Sequence, residues 1–480
     1  MSDDSRPTEV APPVDETPPP APSGVIGRVR ARLAGQDFLK NVLTLMTGTA
    51  SAQVLQFLAM IFVGRLFTAA EFGVYVLVMS AVSAVVPIAA GRYELAIVLP
   101  RRDNDARQLL RLCTWINVAV SLATIAVMLV ISPWLARLMT DQSQADAASI
   151  EAGLRFWLYF TGPMVFLVTQ LGVMSYWLTR TRNFRQVAQN KIYQSVSVSG
   201  LQVGTGAVGM GVSGLVIATI VGYAASLWNL LRKTRGQYRI DGPARSKREL
   251  ARRYVKMPAL NGPNAVVDSV RLNGINALVG ANYAAGPVGQ FGMAWRLLQA
   301  PMGLINAAVA QVFFQRLATV ERGQMTGIVR MAIVRSMVIG IVPFALIWSL
   351  GPWILPFVLG GDWTLAGEIS RVLVPWLYLN FITSPISTVF VTVHRQLTML
   401  LFSIAYMVVP LSILGFFAGD LLTTMAQVSW AMAGLLVVFL LLALLVSWQY
   451  DRGFGFRADE VDVEVEQAEQ QVTGEEPLDR

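Results

Sequence analysis

The amino-acid sequence predicts an all-α integral membrane protein with about twelve transmembrane helices. Of its 480 residues, 54% are hydrophobic and 14% are charged, with a mean hydropathy of +0.52. A soluble domain holds about 25% charged residues. Apolar segments of about 20 residues, the length that crosses a bilayer, recur along the chain. Arginine and lysine residues collect in alternate connections between these segments. The three observations together predict the fold class.

Twelve spans are predicted in two halves of six. The first half covers residues 41–231 and the second covers 257–448, with a basic cytoplasmic linker at 232–256 between them. Residues 1–40 combine a Pro-rich tail, expected to be disordered, with a basic amphipathic stretch, and 449–480 form an acidic tail also expected to be disordered. The predicted spans are 41–63, 74–98, 109–132, 153–177, 189–208, 210–231, 257–280, 286–315, 328–350, 366–392, 397–418 and 424–448.

The distribution of positive charge predicts the orientation. Counted over the connections, 28 Lys and Arg residues lie on one side of the predicted spans and four lie on the other. Cytoplasmic connections carry this excess in membrane proteins. Both termini are therefore predicted to be cytoplasmic. The net charge of +8, on a chain with little polar surface, indicates membrane lipids as partners and no nucleic acid.

Cysteine and histidine usage excludes several kinds of site. The single cysteine, Cys113, excludes a disulfide framework and a cysteine zinc site, and the single histidine, His394, argues against a histidine metal cluster or a Ser/His triad. We therefore expect no metal, no cofactor and no enzymatic activity.

An internal repeat relates the two halves. Tyr283–Phe291 repeats the pattern of Phe67–Tyr75, and aligning Gly73 with Gly289 gives an offset of 216 residues. Each copy precedes a long span that ends in a basic connection. Because six spans per repeat is an even number, the halves are predicted to be related by an axis along the membrane normal.

Two motifs carry a family resemblance. G-R-L-F-T-A-A-E-F-G-V-Y (64–75) and G-R-Y-E-L-A-I-V-L-P (91–100) resemble the Wzx-type flippases of lipid-linked polysaccharide and O-antigen units. These belong to the multidrug/oligosaccharidyl-lipid/polysaccharide exporter superfamily, and the resemblance covers roughly residues 38–450. It implies two six-helix bundles around a central cavity. It also implies transport of an undecaprenyl-pyrophosphate-linked oligosaccharide across the bacterial inner membrane, with the polymerase and chain-length proteins of the pathway as candidate partners.

Charged and polar residues inside the spans are the candidate substrate-binding groups. An intramembrane charge is costly and usually marks function, and a guanidinium suits pyrophosphate because it stays protonated and makes paired hydrogen bonds. Arg335 is set aside because it lies near the basic interface, where it is expected to snorkel. The candidate cavity residues are Arg92, Asn264, Arg271, Asn273, Trp295 and Arg296.

Two acidic residues lie well inside the predicted spans. Asp268 precedes Arg271 by three residues and shares its helix face, whereas Arg92 and Glu94, two residues apart, are expected to point to different faces. Asp268 and Glu94 are candidates either for coupling transport to an ion gradient or for balancing an arginine. The sequence leaves both roles open.

Three other functions compete with the flippase interpretation. A drug exporter of the same superfamily would take amphipathic cations and need an acidic cavity, whereas arginines outnumber carboxylates here. A polymerase or ligase of the pathway would be expected to have a large periplasmic loop with catalytic Arg or His, but the predicted periplasmic connections are short. A transport-inactive scaffold that recruits partners through its tails is the third alternative.

Overall fold

A computed structural model describes residues 47–140, 147–238, 240, 242–317, 323–387, 389–390, 393, 396–417 and 419–452. The predicted tail and basic stretch at 1–40 lie outside these residues, as does 453–480 of the acidic tail predicted at 449–480; residues 449–451 of that tail belong to the last helix. The described part is helical and holds no strand. We call the end of the molecule with the Arg-rich connections, including residues 234–255, the basic end, and the other the opposite end.

The helices succeed one another with short connections, and 3₁₀ segments follow α2 (Tyr93–Val98) and α11 (Gly361–Trp363). Their bounds are α1 Thr47–Leu66, α2 Ala69–Ala89, α3 Asp103–Leu138, α4 Ala147–Leu158, α5 Thr161–Arg180, α6 Phe184–Ala207, α7 Gly211–Lys233, α8 Lys247–Arg253, α9 Lys256–Asn282, α10 Ala285–Leu317, α11 Met325–Leu359, α12 Thr364–Val372, α13 Val374–Thr383, α14 Gln396–Phe416 and α15 Leu421–Asp451.

The described helices make this a multi-pass membrane protein. Seven are long and apolar enough to cross a bilayer (α1, α2, α3, α7, α11, α14 and α15), and α4 with α5, bent by 48°, would form an eighth span. Helices α6, α9 and α10 overlap predicted spans but are not among the helices that meet this criterion within the described residues. The count of twelve spans therefore stays a prediction.

Three predicted spans are interrupted or bent in the structure. The span predicted at 74–98 is wrong at its end, because Gly91 and Arg92 adopt φ values of 61° and 58° that an α-helix cannot accommodate. The span at 153–177 belongs to the bent pair α4–α5. The span at 366–392 is interrupted at Leu373, where Pro375 occupies the first turn of the new helix α13.

The start of α2 is fixed by its own side chains. The Thr68 hydroxyl accepts a hydrogen bond from the Glu71 backbone N–H (3.3 Å), and the Glu71 carboxylate accepts one from the Thr68 N–H (2.8 Å). This reciprocal capping box satisfies two backbone donors that would otherwise lack partners. The T-A-A-E sequence therefore sets where α2 enters the molecule.

Helices α2 and α10 cross near the opposite end at a contact that only glycine allows. A Cβ atom at Gly73 would lie 1.7 Å from the carbonyl oxygen of Ala285, and one at Gly289 would lie 1.8 Å from that of Ala69. The offset of 216 residues relates Gly73 to Gly289 and Ala69 to Ala285, so the contact is reciprocal. Such reciprocity places a local two-fold axis at the crossing.

A second contact between the halves closes the opposite end. Arg65 donates hydrogen bonds to the carbonyl oxygens of Val358 (2.9 Å) and Phe357 (3.3 Å), in the last turn of α11. The indole N–H of Trp363 donates to the Gly64 carbonyl (2.6 Å). The last carbonyls of a helix lack partners within it and attract positive charge. We call these five residues the clasp; it joins the end of α1 to the end of α11.

Candidate functional site: two related cavities

Two cavities lie on the basic side of the α2–α10 crossing. The Arg296 cavity, of about 450 Å³, lies between α1, α2, α6, α7 and α10. The Asp268 cavity, of about 370 Å³, lies between α2, α9, α10 and α13. Both volumes fall in the range of about 300–1,000 Å³ found for small-molecule sites. Trp295 lines both cavities.

The offset found in the sequence also relates the walls of the two cavities. Eight lining residues of the Arg296 cavity have their counterparts, 216 residues away, in the lining of the Asp268 cavity. The pairs are Gln53/Ser269, Gln56/Leu272, Phe57/Asn273, Ala59/Ile275, Met60/Asn276, Tyr75/Phe291, Met79/Trp295 and Gln299/Ser83. The cavities are therefore copies of one design.

The charges do not follow this relation. Arg296 is the charged residue among those lining the first cavity, and its counterpart is Ser80. Asp268 is the charged residue lining the second, and its counterpart is Ala52. Each cavity thus has one charge, of opposite sign to that of the other, and both charges come from the second half of the chain.

Arg296 is held by aromatic rings. Its guanidinium carbon lies 5.3 Å from the ring centre of Phe72 and 5.1 Å from that of Tyr75, within the range of cation–π attraction. Among the described residues it has no acidic partner and no hydrogen-bond acceptor. The rings fix the position of the cation and leave its N–H groups available to a ligand in the cavity.

Neutral polar groups form the wall beside Arg296. Gln202 donates to the hydroxyls of Tyr75 (3.3 Å) and Thr219 (3.1 Å), a buried network that fixes the Tyr75 ring. The Gln53 side-chain oxygen is buried and has no donor within the described part of the chain. Buried polar atoms are usually paired. The cavity therefore offers both unused donors and an unused acceptor, which suits a ligand rich in hydroxyl groups.

The Asp268 cavity has a different surface. Its carboxylate is exposed over 60% of the side chain, and the walls include Phe291, Trp295 and Trp376. The Trp295 and Trp376 rings are 4.9 Å apart. An exposed carboxylate among aromatic rings is a surface that favours cations.

Hydrogen bonds join α9 to α2 along the Asp268 cavity. Ser269 donates to the Ser83 carbonyl (2.9 Å), and the Asn276 amide donates to the Ser80 hydroxyl (2.9 Å). Asn273 donates to Ser269 of its own helix (2.8 Å). The polar residues of α9 thus serve its contact with α2 as well as the cavity, and Asn273 lines the cavity with its donor already used.

Arg271 lies outside both cavities. It is buried, its guanidinium is 3.5 Å from Asp268, and its charge lies over the Tyr406 ring at 4.6 Å, which turns it toward α14. The ion pair with Asp268 forms as the spacing predicts. Asn264 also lines neither cavity, and its buried side-chain oxygen lacks a donor among the described residues. The structure therefore separates these two residues from Arg296.

Arg92 and Glu94 also lie away from both cavities, and the expectation that they point to different faces is wrong. They form an ion pair of 3.6 Å, because the positive φ of Arg92 and the 3₁₀ segment after it replace helical spacing. Glu94 lies in the connection between α2 and α3. The pKa of Glu94 is raised above its ordinary value, because the effect of burial exceeds the lowering by a backbone hydrogen bond and by Arg92.

Sequence reasoning missed most of the Arg296 cavity wall. It passed over five neutral residues that the structure brings together there: Gln53, Tyr75, Gln202, Tyr223 and Gln299. One signal was available, since the offset of 216 relates Ser269, on the polar helix α9, to Gln53 on α1.

The sequence matches a known family over most of its helical region. Residues 62–368 match the family described as "Polysaccharide biosynthesis protein". Among curated proteins, none matches the sequence.

Solved structures share the fold at low sequence identity. One is a multidrug resistance MATE family transporter of the MOP superfamily in an inward-facing conformation (TM-score 0.64, 17% identity, 84% of this chain and 95% of that one). Another is the lipid II flippase MurJ in an inward closed conformation (TM-score 0.68, 13% identity, 85% of this chain and 90% of that one). A third is a MOP superfamily transporter from Pyrococcus furiosus (TM-score 0.56, 15% identity, 86% of this chain and 96% of that one). The chain has the fold of this superfamily.

Proposed function

We propose, from the premise that the chain belongs to the polysaccharide biosynthesis protein family, that it is a flippase for a lipid-linked oligosaccharide. It moves an undecaprenyl-pyrophosphate-linked unit from the cytoplasmic to the periplasmic leaflet of the bacterial inner membrane. The transported unit is used in the synthesis of a surface polysaccharide such as O-antigen, lipopolysaccharide or exopolysaccharide. Both termini and the basic end are cytoplasmic.

The observation that carries this proposal is the Arg296 cavity. It lies among membrane helices, yet it presents amide and hydroxyl groups and one cation whose N–H groups are unused by the described residues. Buried polar groups cost free energy unless they gain partners. A glycan headgroup supplies hydroxyls for the amides, and an anionic group supplies acceptors for Arg296.

The helix contacts at the opposite end suggest how transport is gated. The α2–α10 crossing and the clasp join the halves there, while both cavities lie on the basic side. In this conformation a headgroup enters from the cytoplasmic side and its polyprenyl chain stays in lipid. Release requires that the crossing and the clasp open. The cavity is then accessible from the cytoplasmic side in one conformation and from the periplasmic side in the other.

Complementation tests the function and the site together. A strain that lacks its polysaccharide flippase receives the wild-type gene, Arg296→Ser or Arg371→Ser, with membrane expression checked by immunoblot. Arg371 is a matched control because it also lies over an aromatic ring, that of Trp348 at 4.5 Å, but lines neither cavity. We expect wild type and the control to restore surface glycan, and Arg296→Ser to restore at most about a tenth, since a charge-assisted hydrogen bond contributes about 1.5–3 kcal/mol.

The possible results separate the site from the function. Full activity of a well-expressed Arg296→Ser variant would remove Arg296 from the site and leave the function standing. Failure of wild type in hosts with different surface glycans would contradict the function itself.

A second candidate function is supported by the Asp268 cavity. Its carboxylate and aromatic walls suit an amphipathic cation, the substrate class of a drug exporter. Ethidium efflux from cells that express wild type or Asp268→Ala tests it. Efflux by wild type that the substitution abolishes, together with no rescue of surface glycan, would favour the exporter over the flippase.

A further inference from the structure

A third pocket, separate from both cavities, lies at the basic end. It has about 450 Å³ and is formed by the start of α3, the end of α5, the start of α6 and the connection after α7. Arg107, Arg180 and Arg182 line it together with one acidic residue, Asp103. The excess of positive charge predicts an anionic ligand, and we call it the arginine pocket.

Arg180 holds the pocket together. It donates to the Asp103 carboxylate (2.8 Å) and to the carbonyl oxygens of Ile97 (3.2 Å) and Val98 (3.4 Å). These bonds use its guanidinium and neutralise the one acid in the lining. Arg180 therefore fixes the walls, and the remaining charge of the pocket belongs to the other two arginines.

Arg107 and Arg182 have N–H groups that are not hydrogen-bonded to any described residue. Arg107 gives one hydrogen bond to the Asn104 side chain (2.9 Å), while its Nε is buried with no acceptor in the described part of the chain. The Arg182 side chain is exposed and, within that same part, has neither an ion pair nor a hydrogen bond. Guanidinium groups with unused N–H donors bind phosphate oxygens in pairs.

An apolar edge borders the pocket. Val98 and Leu99 are 39% and 50% exposed, and the carbonyl of Val98 is itself bound by Arg180. Free phosphate has no use for such an edge, whereas a lipid has both a phosphate and acyl chains. Basic pockets beside membrane helices on the cytoplasmic side bind anionic lipid headgroups.

We propose that the arginine pocket binds the phosphate headgroup of an anionic membrane lipid through Arg107 and Arg182. The acyl chains lie along Val98 and Leu99. The proposal shares with the proposed function only the orientation of the basic end, and it holds whatever the transported substrate is. The bound lipid stabilises the junction of α3, α5 and α6.

Lipid binding by the purified full-length protein tests the proposal. Native mass spectrometry measures binding of phosphatidylglycerol and phosphatidylcholine to wild type, Arg107→Gln/Arg182→Gln and the control Arg101→Gln/Arg248→Gln. The control removes the same charge from exposed arginines of the basic end that do not line the pocket. A conservative pair, Arg107→Lys/Arg182→Lys, keeps the charge but not the planar fork.

We expect wild type and the control to prefer phosphatidylglycerol. The pocket variant should lose about 25-fold in affinity for it, at about fivefold for each arginine, and the lysine pair should lose less. Equal losses in the pocket variant and the control would show general charge attraction and overturn the site. Displacement of the lipid by an equal concentration of inorganic phosphate would assign the pocket to soluble phosphate and overturn the lipid.

Discussion

The Arg296 cavity and the Asp268 cavity share their walls but differ in their charges. Eight lining positions correspond through one offset, yet Arg296 faces one cavity where its counterpart is Ser80, and Asp268 faces the other where its counterpart is Ala52. The internal repeat thus supplies two similar spaces, and single residues give each its chemistry. The two cavities therefore differ in the sign of their charge, although both charged residues belong to the second half of the chain.

This division changes the expectation of one cationic cavity. Arg271, Arg296 and Arg92 do not meet: the first lies against Tyr406, the second lines its own cavity, and the third pairs with Glu94. An anionic headgroup in the Arg296 cavity therefore meets one guanidinium and several neutral groups. Under the proposed function, recognition there depends on hydrogen bonds to hydroxyls as much as on charge.

The largest expected effect comes from disrupting the α2–α10 crossing, where the axis that relates the two cavities lies. In Gly73→Val the new side chain would collide with the Ala285 backbone, where even a Cβ would be 1.7 Å from the oxygen. Because backbone cannot be displaced cheaply, we expect a destabilisation of at least about 3 kcal/mol and loss of transport. The measurements are thermal unfolding in detergent and complementation. Gly172→Val is the control, since a Cβ at Gly172 meets nothing within 4 Å. Equal unfolding midpoints for the two variants would contradict the close crossing.

A pair of substitutions tests whether the two charges have different roles. Arg296→Ser and Asp268→Ala exchange each charge for a small residue: serine, as in the counterpart Ser80, and alanine, as in the counterpart Ala52. We expect surface glycan to fall at least about tenfold for the first, which loses charge-assisted hydrogen bonds. For the second we expect a fall of about fivefold or less, because Asp268 is largely exposed and its ion pair with Arg271 is screened.

Complementation measured at matched expression gives both values. Asp268→Asn separates charge from shape, since asparagine keeps the size and polarity of the side chain. A larger loss for Asp268→Ala than for Arg296→Ser would reverse the assignment of the substrate to the Arg296 cavity.

A smaller effect is expected from loosening the clasp. Arg65→Gln removes the charge-assisted hydrogen bonds to Val358 and Phe357, but the side chain is exposed, so we expect a loss of about 1 kcal/mol. The population open at the opposite end then rises about fivefold. Labelling of Ala285→Cys by a membrane-impermeant maleimide measures it, because Ala285 is buried at the crossing.

The control for the clasp is Arg137→Gln. Arg137 pairs with Glu151 at the same end but within one half of the molecule, at 3.1 Å. It should leave the labelling rate unchanged. An increase in labelling as large as that for Arg65→Gln would show a general effect of charge at this end and not of the contact between halves.

Much of the fold follows from local features of the sequence. Hydropathy predicts membrane helices, the Thr68–Glu71 capping box marks the start of α2, and the repeat around Gly73 and Gly289 predicts a relation that the crossing displays. Each of these signals lies within a few residues or in a direct comparison of two segments.

The site depends on contacts that local features do not contain. Arg271 turns toward Tyr406, which belongs to a distant part of the chain, so helix periodicity alone could not give its direction. The end of α2 depends on the backbone of Arg92, a residue type that rarely adopts positive φ. Gln53 and Gln202 carry no charge that would single them out in a span.

The smallest expected effect tests how the Arg296 cavity holds its cation. Tyr75→Phe keeps the ring beneath Arg296 and removes the hydroxyl that Gln202 and Thr219 bind. We expect a loss of stability of about 1 kcal/mol, since one network of buried hydrogen bonds is broken. Transport should change by less than about threefold, because the cation–π contact remains. Tyr193→Phe, at an exposed tyrosine, is the control for thermal unfolding and complementation. If Tyr75→Phe abolished transport while leaving stability intact, the hydroxyl itself would bind the substrate, and the ring would not be the main support of Arg296.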